Sequence, residues 1–149
     1  MKIIMGGDHA GFLMKDALVG LVQSWGHEVV DVGTSNPSDS VDYPDYGAEV
    51  GRKVAAKEGD LGVLVCGTGI GVSIAANKVH GVRAAVCGDV FSAKMARRHN
   101  DANVICLGAR VVGIGLAEEI LRSFLDAQFE AGRHLGRVAK IGTLDDARK

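Results

Sequence analysis

The sequence predicts an α/β fold, a five-stranded parallel sheet covered by helices on both faces. Three observations carry that prediction. Five short apolar runs rich in Val and Ile fall at 2–5, 28–32, 62–66, 83–87 and 103–107. Segments of helical length alternate with them, at 10–24, 44–57, 71–79, 90–99 and 113–129. Such alternation marks strands that lie parallel and are buried on both faces. The 149 residues are 47% hydrophobic and 23% charged, with only two prolines, so a sizeable core is available.

The first run leads into "GGDHAGF", which sets Asp8 and His9 at a strand's carboxyl end before the helix that starts at residue 10. The second run opens into the loop 33–43, "GTSNPSDSVDY", whose polar turn formers suit a surface position near the strand ends. Pro44 fits the first position of the next helix. The third run, "GVLVC", ends in Cys66 and passes straight into the glycine-rich turn 67–71, from which a helix departs. The fourth ends in Cys87, two residues before Asp89, and its helix ends in "RRHN". The fifth delivers Gly108–Arg110 and the last long helix. After Ala131, "GRHLGRVAKIGTLDDARK" is basic first and mixed later, a C-terminal helix or arm from about residue 130. With no linker or repeat, one domain is expected over 1–149. Ligands of open parallel sheets bind beyond the carboxyl ends of the strands, where this sequence repeatedly sets polar or reactive groups.

Several classes are excluded. A net charge of −1 gives no basic field for nucleic acid or an anionic membrane. No apolar run approaches the roughly 20 residues of a spanning helix, and the apolar stretch at the N-terminus is too short for a signal peptide. Cys66, Cys87 and Cys106 are odd in number and form no CxxC pair. They are expected as free thiols in the cytoplasm, not as a disulfide or zinc framework. No H-x-x-x-H or carboxylate cluster occurs, so no metal or other cofactor is expected.

In "CGTGIG", Gly67, Gly69 and Gly71 allow backbone amides to turn toward an anion at the start of a helix. A dinucleotide fingerprint needs glycine at 72, where Val72 stands. "GGDHAG" is a second candidate, with Asp31 at a suitable distance, but Asp8 would face a pyrophosphate with the wrong sign. A ligand-free tight turn is the competing reading. Cys66 is either a small hydrophobe or a nucleophile or base, since thiols at helix N-termini favour the reactive thiolate. A base beside backbone donors is the arrangement that removes a proton alpha to a carbonyl and holds the enediolate. Cys87 and Cys106 lack such a turn and are expected in the core or lining the site. His27 and His80 sit at element boundaries, as surface residues do. His9 forms a titratable pair with Asp8. His99, next to Asn100 at a helix end, suits a proton donor or a cap. Arg133 and Arg137, flanking His134, have the i,i+4 spacing that puts them on one helix face, where they grip a phosphate or face solvent. Arg110 follows the last strand at the same sheet edge as Cys66.

"GGDHAGF", "DYPDYG" at 42–47, "CGTGIGVSIAANK" at 66–78, "RRHNDANVICLGARVVG" at 97–113 and "GRHLGRV" at 132–138 resemble the type B ribose-5-phosphate isomerases. The wider family includes galactose-6-phosphate and allose-6-phosphate isomerases. The resemblance implies a metal-independent aldose–ketose isomerase working through a cis-enediolate. It implies a Rossmann-like three-layer α/β/α sandwich, and a homodimer or dimer of dimers with shared sites. On matching positions, Cys66 is the base that moves a proton between C1 and C2, with Thr68 hydrogen-bonding nearby. The amides of Gly67, Thr68, Gly69, Ile70 and Gly71 hold the enediolate oxygen. His99 opens the furanose ring, Asp8 takes the hydroxyl proton, and Asn100 binds sugar hydroxyls. His9, Arg110, Arg133 and Arg137 grip the phosphate, some from the neighbouring subunit. One branch of the family uses a glutamate at the position of Val72, which places this chain in the cysteine branch. The loop 33–41 bears on sugar length. The competing functions are isomerisation of a six-carbon sugar phosphate or a rare free sugar, a non-catalytic module that binds a sugar phosphate or nucleotide, and a scaffold dimer with a vestigial pocket.

Overall fold

The Val- and Ile-rich runs form β1 (Lys2–Gly7), β2 (Glu28–Asp31), β3 (Leu61–Cys66), β4 (Ala84–Val86) and β5 (Val104–Gly108) in the computed structural model, which describes residues 1–147. All pairings are parallel and the sheet order is β2-β1-β3-β5-β4. The helices are α1 (Phe12–Ser24), α2 (Tyr43–Ala55), α3 (Ile70–Ala76), α4 (Val90–Asn100), α5 (Ile114–Asp126) and α6 (Leu135–Asp146), with a short 3₁₀ turn at Gly132–His134.

Successive strand residues face opposite sides, and this divides the core in two. Ile3, Met5, Val63, Val65, Ile105 and Leu107 pack under α1, α4 and α5. Ile4, Leu64, Cys66, Val104 and Cys106 pack with Val50 and Val54 of α2 and Val72 and Ala76 of α3. Every residue of the central strand β3 is buried, as its unbroken apolar run requires. The expected architecture of helices on both faces is therefore present.

Some element limits differ from the sequence reading, each for a local reason. β1 continues through Gly6 and Gly7, which carry no hydrophobic signal. A Cβ on Gly7 would lie 2.4 Å from the Val65 carbonyl oxygen, and one on Gly11 2.1 Å from it. The β1–α1 turn is thus pressed onto the backbone of β3. α3 stops early because the Asn77 side chain pairs with the β4 backbone, donating to Ala84 O at 2.9 Å and accepting from Ala84 N at 2.8 Å. Pro44 occupies the first turn of α2, one residue later than expected. Arg133 lies in the 3₁₀ turn and Arg137 in α6, so they do not share one continuous helix. α6 has no buried residue and is tied down at its far end, where His80 Nε2 meets Asp146 Oδ1 at 2.8 Å and Gly81 N donates to Asp145 Oδ2 at 3.0 Å.

The strand order reverses between β1 and β3. From β1 the chain leaves through α1 to one edge, and from β2 it returns through α2 to β3 on the other side. Crevices at such switch points hold the ligands of open α/β sheets, and Asp8 and Cys66 flank this one. One buried charge lies nearby. Lys15 is 1% exposed and pairs with Asp31 at the end of β2, and Asp31 Oδ1 accepts from Gly33 N at 2.9 Å.

Candidate active site

A cleft of about 480 Å³ opens at the carboxyl edge of the sheet, lined by Asp8, His9, Tyr43, Cys66, Thr68 and Arg110 among others. β1 delivers Asp8 and His9, β3 delivers Cys66, and the turn after β5 delivers Arg110. The Asp8 carboxylate is buried and accepts from Gly11 N through Oδ1 at 3.0 Å. That bond anchors one oxygen and leaves the other for a ligand. His9 Nδ1 accepts from Val41 N at 3.1 Å.

Cys66 is 5% exposed, and its Sγ accepts from Gly69 N at 3.1 Å. This bond strengthens as charge builds on sulfur. It requires the turn to close tightly, and Gly69 does so at φ 79°, a conformation that favours glycine. Thr68 Oγ1 accepts from Ile70 N at 3.2 Å, which frees the hydroxyl hydrogen for another acceptor. Two of the five amides expected to hold an oxyanion are thus engaged within the turn, those of Gly69 and Ile70. Among the described residues the amides of Gly67, Thr68 and Gly71 have no such partner and remain as donors. Gly67 also makes room for Arg110: a Cβ there would stand 3.3 Å from the guanidinium. On Gly71 a Cβ would strike the Tyr43 ring at 2.6 Å, so Tyr43 lies flat against the helix start and forms one wall. Tyr43 belongs to "DYPDYG", whose spacing alone carries no chemical reason to place it at a site.

His99, Asn100, Arg133 and Arg137 do not line this cleft. The reason is topological. α4 starts near the carboxyl edge, where Asp89 caps it by accepting from Ser92 N at 2.7 Å. It then runs back across the sheet for eleven residues, about 16 Å at 1.5 Å each. His99 therefore lies toward the opposite, amino edge. There its ring stacks on that of His134, with centroids 4.2 Å apart and planes 12° from parallel. Glu130 Oε2 lies 3.7 Å from Nε2 of each histidine, while its other oxygen pairs with Arg98. His134 is buried. Burial first, then neighbouring His99 and Arg133, hold its pKa below the usual 6.5. The helix end is fixed by Asp101, left-handed at φ 46° and clasped between Arg83 (2.9 Å) and Arg97 (2.8 Å). Asn100 borders a separate hollow of about 340 Å³ beneath α6.

His99, Glu130 and His134 bring three ligand atoms within 4.8 Å of one another, a grouping that could hold a metal ion and that their separation in sequence concealed. Here the Glu130 charge is already shared with Arg98. Cys87 and Cys106 are core residues, and His80 is exposed as expected.

A family model described as Ribose/Galactose Isomerase matches residues 3–141. Ribose-5-phosphate isomerase B of Escherichia coli (strain K12) is 48% identical over 147 residues, 99% of this chain and 98% of that one. D-erythrulose-4-phosphate isomerase of Pectobacterium atrosepticum is 40% identical over 149 residues, 100% of this chain and 98% of its own. The solved structure of Clostridium thermocellum ribose-5-phosphate isomerase B superposes with a TM-score of 0.97 at 49% identity, covering 99% of each chain.

Proposed function

The chain belongs to the ribose/galactose isomerase family, and from that premise we propose that it interconverts D-ribose 5-phosphate and D-ribulose 5-phosphate. The site is completed by a second copy of the chain. The observation that carries this reading is the division of the machinery. Asp8, His9, Cys66, Thr68 and Arg110 stand at the carboxyl edge of the sheet, and His99, Asn100 and the arm with Arg133 and Arg137 lie outside that cleft. Two copies related by a two-fold axis can set one half against the other twice over.

In the assembled site His99 of the neighbouring copy protonates the ring oxygen while Asp8 takes the anomeric hydroxyl proton, which opens the sugar. The Cys66 thiolate then removes the proton from C2. The C–H electron pair becomes the C1=C2 bond, and the carbonyl electrons move to O1, where amides of the turn receive the charge. The same sulfur returns the proton to C1 while the O2 hydroxyl proton passes to O1, so that O1 becomes the hydroxyl and O2 the carbonyl. Thr68, with its hydroxyl hydrogen free, lies beside these oxygens. Arg110 and the neighbour's arginines hold the phosphate, so position is set at one end and chemistry occurs at the other. A soluble substrate and three free thiols fit a reducing compartment such as the cytoplasm.

The Pectobacterium relative is named for a four-carbon sugar phosphate, and other branches take six-carbon ones, so chain length is the property to measure. Comparing kcat/KM across four-, five- and six-carbon aldose phosphates is expected to favour ribose 5-phosphate. Cys66→Ala is expected to lower kcat by about 10²–10⁴-fold, the usual contribution of a positioned base. A variant as fast as the wild type removes Cys66 from the chemistry, and a preference for another length reassigns the substrate.

A further inference from the structure

Loop 33–42 ends at the cleft, where the Val41 amide meets His9. Its N–H donates to His9 Nδ1 at 3.1 Å. A backbone nitrogen only donates, so Nδ1 is the acceptor and bears no hydrogen. A neutral imidazole then carries its single proton on Nε2. Nε2 has no hydrogen-bond partner among the described residues, and His9 lines the cleft alongside Arg110. The loop that presents Val41 is anchored to the sheet at its start and braced by a bond within it. Lys15 pairs with Asp31 just before it, Thr34 N donates to Gly7 O at 3.1 Å, and Asn36 Nδ2 donates to Asp39 Oδ2 at 2.8 Å. Val41 itself lies between that anchored start and α2, which begins at Tyr43.

We propose that the Val41 backbone amide is a positioning group that fixes His9 as its Nε2–H tautomer. The cleft then offers the substrate's phosphate a neutral N–H donor and leaves the phosphate's charge to the arginines. A proton on Nδ1 would break the bond to the loop, so a cationic His9 and a docked Val41 exclude each other. It follows that changes in loop 33–42 act on phosphate binding through an atom that never touches the ligand. The identity of the ligand rests on the isomerase reading; the tautomer is a property of the free protein.

Nitrogen-15 NMR of the imidazole rings, at a pH above the histidine titration range, tests it directly. His9 is assigned by the signals lost in His9→Gln. The wild type is expected to show an unprotonated Nδ1 and a protonated Nε2. Val41→Ala keeps the amide hydrogen and is expected to keep that pattern. Val41→Pro deletes the hydrogen and is expected to mix the two tautomers. It should also raise KM for the sugar phosphate about tenfold, the scale of one hydrogen bond to a charged group, with kcat largely kept. A protonated Nδ1 in the wild type overturns the proposal even if Val41→Pro fails to fold. So does a folded Val41→Pro with wild-type spectrum and KM. The predicted tautomer pattern in a protein that turns over no sugar phosphate would refute the isomerase reading and leave the lock standing.

Discussion

Three cysteines occupy the described core, and each is at most 5% exposed, yet their surroundings give them different chemistry. Burial, with a smaller push from Asp89, raises the Cys87 thiol to about 11. Burial, then neighbouring Cys66 and Cys87, raises Cys106 well above the usual 9.0. Both are protonated near neutral pH, and the thiol form is unreactive. Cys66 alone lines an opening and accepts an amide hydrogen. Iodoacetamide near neutral pH is therefore expected to add one equivalent per chain, mapped to Cys66 by peptide mass spectrometry and blocked by ribose 5-phosphate. Labelling of Cys87 or Cys106 in the folded protein would show the burial argument to be wrong. The choice among these thiols was legible in the sequence because only Cys66 precedes a glycine-rich turn. Lys15 was not legible: an amphipathic helix normally keeps its lysines in solvent, and only the fold reveals that Asp31 waits at the end of β2.

At the scale of elements, the arm is held at two points that titrate in opposite directions. At its start His134 is buried against His99, and its pKa is lowered by burial and by nearby cationic groups. A histidine with a depressed folded pKa costs stability as pH falls below its unfolded value of about 6.5, because the unfolded chain takes up the proton first. At the arm's end His80 has a raised pKa, chiefly from its hydrogen bond to Asp146. That contact is fully formed below the unfolded value and is lost as pH rises through the folded one; being exposed, it contributes little. Acidification from pH 7 toward 5 is thus expected to lower the protection of amides in the 3₁₀ turn and the first turn of α6, read as exchange rates relative to the intrinsic rate at each pH. His134→Gln is expected to flatten that dependence. Protection there that rises on acidification would reverse the sign. The i,i+4 spacing of Arg133 and Arg137 pointed to a helix, but it could not show that Ala131 and Gly132 turn at positive φ (56° and 49°) and so delay α6 to Leu135.

At the scale of the molecule, topology decides where function resides. The alternation of apolar runs and helical segments was enough to give parallel strands with two covered faces, and to put Asp8, His9, Cys66 and Arg110 on one edge. It could not give the strand order, since β4 lies outside β5, nor reveal that α4 carries His99 away from Cys66. Helix direction follows from the fold, and a histidine at the C-terminus of such a helix is placed at the edge opposite the strand ends. The division of the site between copies is the central claim, and mixing two inactive variants tests it. Cys66→Ala and His99→Asn are each expected to be inactive on ribose 5-phosphate. Refolded together in equal amounts, they should form mixed dimers in which one site regains both residues. Random pairing makes half the dimers mixed, with one of two sites intact, so activity should return to about one quarter of the wild type. Mixed dimers that form and remain inactive would contradict a shared site.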